Sequence, residues 1–138
     1  EQGMSGKVDW MGQLIKQLAN YRQSIGFETL IFDSLGAFFA LTKMENPRDE
    51  IFRLFEAVRR LNLTSFFICE MMGDDHKQFG DHGVEDYLSD GVIHLIMERS
   101  GDQINRKMAV VKMRHTDHIL GYRNIIWTSD QQRFKLGD

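Results

Sequence analysis

Four side chains in this sequence are placed where chemistry could be done: Asp33, Glu70, Lys112 and Arg114. Asp33 ends a short apolar run, Thr29-Leu30-Ile31-Phe32, with Gly26 before it and Ser34 and Gly36 after it. That pattern is expected of a buried central strand in a parallel sheet. Leu63 to Cys69 reads as a second such strand, and Glu70 stands at its end as Asp33 does on the first. In open α/β sheets ligands gather outside the carboxyl ends of the strands. A carboxylate there can hold Mg²⁺, largely through water, beside a nucleotide phosphate. Asp33 is thus a candidate metal ligand of the Walker B kind. The plain alternative is a turn, because Asp starts turns and caps helices well. A nucleophile elbow, Gly-x-Ser-x-Gly around Ser34, would need Gly at position 32, where Phe32 stands.

Lys112 and Arg114 close a later strand. Side chains alternate along a strand, so these two point to the same side and together make an anion site. His115-Thr116-Asp117-His118 and Gly121 follow in a polar loop, where hydroxyl and imidazole groups can hydrogen-bond a ribose, a base or a phosphate. The alternative is a solvated edge strand whose cations discourage edge-to-edge pairing. Asp74, Asp75, His76, Asp81 and His82 carry metal-ligating groups, but their spacing matches no closed site. His94 sits inside an apolar strand and reads as a hydrogen-bonded core or partner-facing residue. The lone Cys69 lies in an apolar run and reads as a small core residue. Trp10 and Trp127 read as packing residues or interface cover.

The elements that must position these groups follow from local signals. Asp9 is placed to cap a helix running to about Ile25, with Met11, Leu14, Ile15, Leu18 and Ile25 at helical spacing and Gly26 beyond its end. After the first strand we expect a loop as far as Asn46-Pro47. Asn46 then caps a helix with Pro47 in its first turn, Asp49 and Glu50 at its positive end, and an apolar stripe of Ile51, Phe52, Leu54, Phe55, Val58 and Leu61. Strand, helix and strand, with ~30 residues from one strand to the next, make a βαβ unit, so the two acids share one rim. Met71 to Gly83 is expected to be a polar, mobile loop. One or two helical turns from Val84 to Leu88 precede a third strand, Val92 to Met97. Asn105 to Arg114 and Tyr122 to Thr128 read as a hairpin-like end to the sheet, with Arg133 to Leu136 as an edge strand.

Bulk properties set the class. The 138 residues are expected to form a single domain, 42% apolar and 27% charged, with a net charge of -3. That charge offers no global attraction to nucleic acid or to an anionic membrane. Apolar runs fall far short of the ~20 residues that cross a bilayer, and a cytoplasmic setting is expected.

Four blocks carry a family resemblance: Ile-Phe-Asp-Ser-Leu (31 to 35), Cys-Glu (69 to 70), Gly-Val-Glu-Asp-Tyr-Leu-Ser-Asp-Gly-Val-Ile (83 to 93) and Lys-Met-Arg-His-Thr-Asp-His (112 to 118). In that order, the sequence resembles the KaiC family of RecA-type ATPases from about Val8 to Asp130. The resemblance implies an α/β fold: a RecA-like three-layer core of parallel strands with an antiparallel hairpin extension at the carboxyl end. It implies ATP and Mg²⁺ as cofactors, and rings, usually hexamers, binding ATP between subunits. Asp33 would be the Walker B acid near Mg²⁺, with Ser34 beside it, and Glu70 a polar strand-end residue close to the nucleotide. Lys112 and Arg114 would reach the neighbour's γ-phosphate, and Thr116 and His118 would lie near its ribose or base.

Two departures qualify the match. His115 replaces the small residue usual after Lys-Met-Arg. The phosphate loop Gly-x-x-x-x-Gly-Lys-Ser/Thr is missing: Gly6-Lys7 is followed by Val8. We therefore expect the carboxyl-terminal part of a KaiC-like domain, lacking the amino-terminal P-loop unit, or a homologue without the loop. Either is an ATPase only within a complete ring. The alternative function is a non-catalytic assembly or signalling module docking on other subunits. A recombinase-like DNA binder fits the charge less well.

Overall fold

The computed structural model describes residues 8–71 and 79–137. It divides into two compact units, residues 1–88 and 89–138.

The first unit begins with helix α1 (Trp10–Ile25). Asp9 caps it, its Oδ1 accepting from the Gly12 N–H at 2.8 Å. The carboxylate packs closely on Gly12: a Cβ there would stand 2.2 Å from Asp9 Oδ2, so a larger residue would shift the capping side chain. Gly26 ends the helix in the left-handed region at φ +69°, and its N–H donates to the Arg22 carbonyl. Strand β1 (Thr29–Phe32) follows where expected, but it is not the buried central strand that its apolar run predicts: its residues alternate between exposed and half-buried, and among the described residues it pairs with one other strand.

The segment expected to be a loop is instead helix α2 (Leu35–Thr42). Its apolar residues run round the whole helix, Leu-Gly-Ala-Phe-Phe-Ala-Leu, so no stripe announces it. What starts it is Ser34, whose hydroxyl accepts from the Ala37 N–H at 3.3 Å. Leu35 and Phe39 then enter the core.

Helix α3 (Pro47–Arg60) has Pro47, Asp49 and Glu50 in its first turn and Arg59 and Arg60 in its last. Asn46 stands at the cap position, but its side-chain amide donates to the Asp49 carboxylate rather than capping the backbone. The stripe holds for Ile51, Leu54, Phe55 and Val58, all buried, whereas Phe52 is exposed. Strand β2 (Thr64–Phe67) pairs parallel with β1, Thr29 opposite Thr64 and Phe32 opposite Phe67. Helix α4 (Glu85–Leu88) completes the unit.

Met11, Leu35, Ile51 and Leu54 are fully buried at the centre of this core. Leu30, Phe32 and Phe67 pack on it from one face of the strand pair. Phe55 stacks on Phe67, ring centroids 4.6 Å apart, and so fixes α3 against β2. The other face carries Ile31 and Phe66, exposed and directly opposite each other.

The second unit is an antiparallel sheet in the order β3-β4-β5-β6. Its strands are β3 (Gly91–Ser100), β4 (Gln103–Met113), β5 (Arg123–Thr128) and β6 (Arg133–Leu136). Gly101, at φ +59°, turns β3 into β4. His94 is buried, with its Nδ1 2.8 Å from the Tyr122 hydroxyl, in keeping with a hydrogen-bonded core histidine. Trp127 packs edge-on against Phe134 across β5 and β6. Among the described residues no helix is long and apolar enough to cross a membrane.

Candidate functional site

In the first unit the parallel pair positions the candidate acids. Beyond the Phe32–Phe67 rung the Ile68 N–H donates to the Phe32 carbonyl at 2.9 Å, and the Leu35 N–H donates to the Ile68 carbonyl at 3.0 Å. Asp33 and Glu70 therefore leave adjacent strands at the same, carboxyl, end. Both are exposed. Glu70 leans towards the start of α2: its Oε2 lies 3.9 Å from where a Cβ on Gly36 would stand. Ser34, between the acid and the helix, is buried and its hydroxyl is occupied as the α2 cap. The Asp33–Ser34 peptide is cis.

This donor set suits Mg²⁺. Among the described residues no cluster of three or more His, Cys, Asp or Glu could cage a metal by itself. Mg²⁺ does not need one, because it keeps several waters and is held by one or two carboxylates together with substrate phosphates. Asp33 and Glu70 are hard oxygen donors at a strand rim where water and phosphate can complete the shell.

Nearby, Cys69 packs against the core, and burial, with Glu85 and Asp81 adding to it, pushes its thiol up to about 12. Glu85 is buried at the start of α4. Burial would raise its pKa, but N–H donors of its own residue, Val84 and His82, with the His82 ring at 3.1 Å, outweigh that and hold it below the usual glutamate range. His82 and Glu85 thus make a helix-start cap. Asp74, Asp75 and His76, and most of the loop expected to be mobile, lie outside the described residues. A cleft between α1 and α3, lined by Ile15, Ala19, Phe52, Arg53, Glu56 and Arg60 among others, contains none of the acids assigned above.

The second unit, taken by itself, carries the candidate cations. Lys112 lies near the end of β4 and Arg114 one residue past it. Both reach back to the segment just before β3. Lys112 Nζ donates to the Ser89 carbonyl at 2.8 Å. The Arg114 N–H donates to the Asp90 carbonyl at 2.7 Å, and its Nη1 lies 3.3 Å from Asp90 Oδ1. Both cations thus reach the same Ser89–Asp90 segment, and Asp90 is a neighbour that sequence reasoning did not single out. Its signal was an Asp-Gly pair opening a strand, which names no partner until the strand register is known.

Thr116 and His118 follow in the turn after β4. His118 Nδ1 lies 3.4 Å from the Thr116 carbonyl, and the His118 N–H donates to Asp117. His118 Nε2 is buried without a hydrogen-bond partner among the described residues.

A family model described as "ATPase: KaiC" matches residues 2–129. The circadian clock protein KaiC3 of Synechocystis is 29% identical over 119 residues, which covers 86% of this chain and 23% of that protein. The circadian clock oscillator protein KaiC of Parasynechococcus marenigrum is 27% identical over 118 residues, covering 86% of this chain and 22% of that one. The chain spans under a quarter of the length of these curated relatives. Among solved structures, a KaiC-like protein of Pyrococcus horikoshii superposes with a TM-score of 0.79 at 16% identity, covering 94% of this chain and 58% of that one.

Proposed function

This chain belongs to the KaiC family of ATPases and has its RecA-type fold, and we propose that it forms part of a single nucleotide-binding domain that hydrolyses ATP at subunit interfaces within a complete ring in the cytoplasm, in a regulatory or signalling role. One observation carries the proposal. Two exposed carboxylates, Asp33 and Glu70, leave neighbouring parallel strands at the end where α/β sheets bind ligands.

Each residue then has a role. Asp33 is the Walker B acid that holds Mg²⁺ through water, and Glu70 lies beside the nucleotide. Bound Mg²⁺ neutralises phosphate charge and orients the terminal phosphate. Lys112 and Arg114 present their positive charge to the phosphates of a neighbouring subunit's nucleotide. Phosphoryl transfer is accelerated mainly by positioning and charge stabilisation, so such cations act on the rate rather than on a covalent step. Thr116 and His118 face the ribose or base, and the buried, unpartnered His118 Nε2 supports a ligand contact there. Ser34 serves this site through its backbone, since its hydroxyl caps α2.

The test is ATP turnover by the assembled complete domain carrying Asp33→Asn, Lys112→Ala or Arg114→Ala. A trans cation is worth ~10³-fold or more in rate, so Arg114→Ala should lose about that much. Asp33→Asn should remove the Mg²⁺-dependent part of ATP binding. Turnover unchanged in both cation variants overturns the trans role. A second reading, a non-catalytic assembly module, is favoured by the lack of a Gly-x-x-x-x-Gly-Lys-Ser/Thr loop among these 138 residues. ATP binding without turnover in the assembled domain would decide for it.

A further inference from the structure

We propose that Asp90 is a positioning residue for the Lys112/Arg114 anion site: its carboxylate holds the Arg114 guanidinium until a polyphosphate displaces it, and so sets the affinity of the site. The proposal rests on the reading of Lys112 and Arg114 as phosphate-binding cations, and deepens it.

The geometry lies wholly within the second unit. Gly91 pairs with Met113 and Val92 with Lys112, so the residues just before β3 lie beside the end of β4. The two strands approach closely here: a Cβ on Gly91 would meet the Met113 side chain, Sδ at 2.9 Å. Asp90 is thereby held at the end of the hairpin, tied further by the 2.7 Å bond from the Arg114 N–H to its carbonyl. From that fixed backbone its carboxylate reaches Arg114 Nη1 at 3.3 Å. Lys112 is held differently, by the uncharged Ser89 carbonyl. One short segment thus meets both cations and sets the Asp90 carboxylate against Arg114.

The strength of the Asp90 contact suits a latch better than a permanent bond. The two side chains are 43% and 75% exposed, and an ion pair so open to water shifts an equilibrium by a factor of ~5 at most. A polyphosphate brings several negative charges and can accept a two-pronged bond from the guanidinium, which a single exposed carboxylate at 3.3 Å does not match. The phosphate wins, but against a competitor.

The experiment is an NMR titration of the chain with Mg²⁺-free inorganic tripolyphosphate, read at the Arg114 Nε–H resonance and at the Lys112 and His118 backbone amides. Four variants are compared with the natural chain: Asp90→Ala, Asp90→Glu, Arg114→Ala and the double substitution Asp90→Ala/Arg114→Ala. Asp90→Ala should bind about 2–5-fold more tightly at low salt, with the gain shrinking as ionic strength rises. Asp90→Glu should return affinity to near that of the natural chain. In the Arg114→Ala background, removing Asp90 should bring no gain, because the contact it opposes is already gone. An affinity unchanged or weakened in Asp90→Ala, or a gain that persists without Arg114, overturns the latch while leaving the anion site standing. If Arg114→Ala binds tripolyphosphate as tightly as the natural chain, the phosphate-site reading falls and the latch falls with it.

Discussion

Phe32 and Phe67 face each other across the parallel pair, ring centroids 6.0 Å apart, and this one register sends Asp33 and Glu70 out over the same rim. A slip of one residue would turn every side chain of β2 to the opposite face and take Phe67 off the core. Phe67 is further pinned by Phe55 of α3, stacked at 4.6 Å. The site's geometry therefore depends on aromatic packing beneath it. Phe67→Ala should destabilise the chain by ~3 kcal/mol, the low end for a large ring because this one is only partly buried. Urea denaturation checks the figure. A loss below about 0.5 kcal/mol would mean that this packing does not hold the rim.

The Glu85 carboxyl should make stability depend on acid pH. Its folded pKa lies below the usual value because three backbone N–H groups and the His82 ring favour the charged form over the cost of burial. The folded chain thus binds this proton less tightly than the unfolded chain. The contribution is fully present above the unfolded value of about 4.3 and is lost as pH falls through the depressed folded value. Glu85→Gln should cost ~1–3 kcal/mol at pH 7, with the difference narrowing as pH falls below the unfolded value. Denaturation midpoints for both chains between pH 7 and pH 3 measure this. A gap that does not narrow on acidification would remove Glu85 as the cause.

Cys69 should be chemically quiet. A thiol pushed up to about 12 by burial presents ~10³-fold less thiolate at neutral pH than an ordinary cysteine. Alkylation by iodoacetamide at pH 8 should be slower than that of glutathione by at least two orders of magnitude. Reaction at the glutathione rate would show that the thiol is not buried as described.

Much of the first unit was legible because its signals are local. Asp9 and Gly26 bound α1, Pro47 with Asp49 and Glu50 starts α3, and the apolar spacing of Ile51, Leu54, Phe55 and Val58 marks the buried face. Each of these effects acts within a turn or two of chain, so residue order alone carries it. Helix α2 escaped notice because its apolar residues cover every face and leave no period to read. Asn46 was placed correctly as a cap residue, but its amide donates to the Asp49 carboxylate instead of accepting from a backbone N–H, a choice that position does not resolve.

The sequence by itself determined the strand-end acids, the paired cations on one side of a strand, and the family, because these depend on residue types at fixed short spacings. The tertiary structure supplied the register behind the rim that the βαβ spacing already implies for Asp33 and Glu70, pairing strands 35 residues apart, Thr29 opposite Thr64. It alone brought Asp90 to Arg114, 24 positions along the chain. Contacts of that kind belong to strand pairing, which is settled by the packing of whole elements and is not written in any single stretch of the chain.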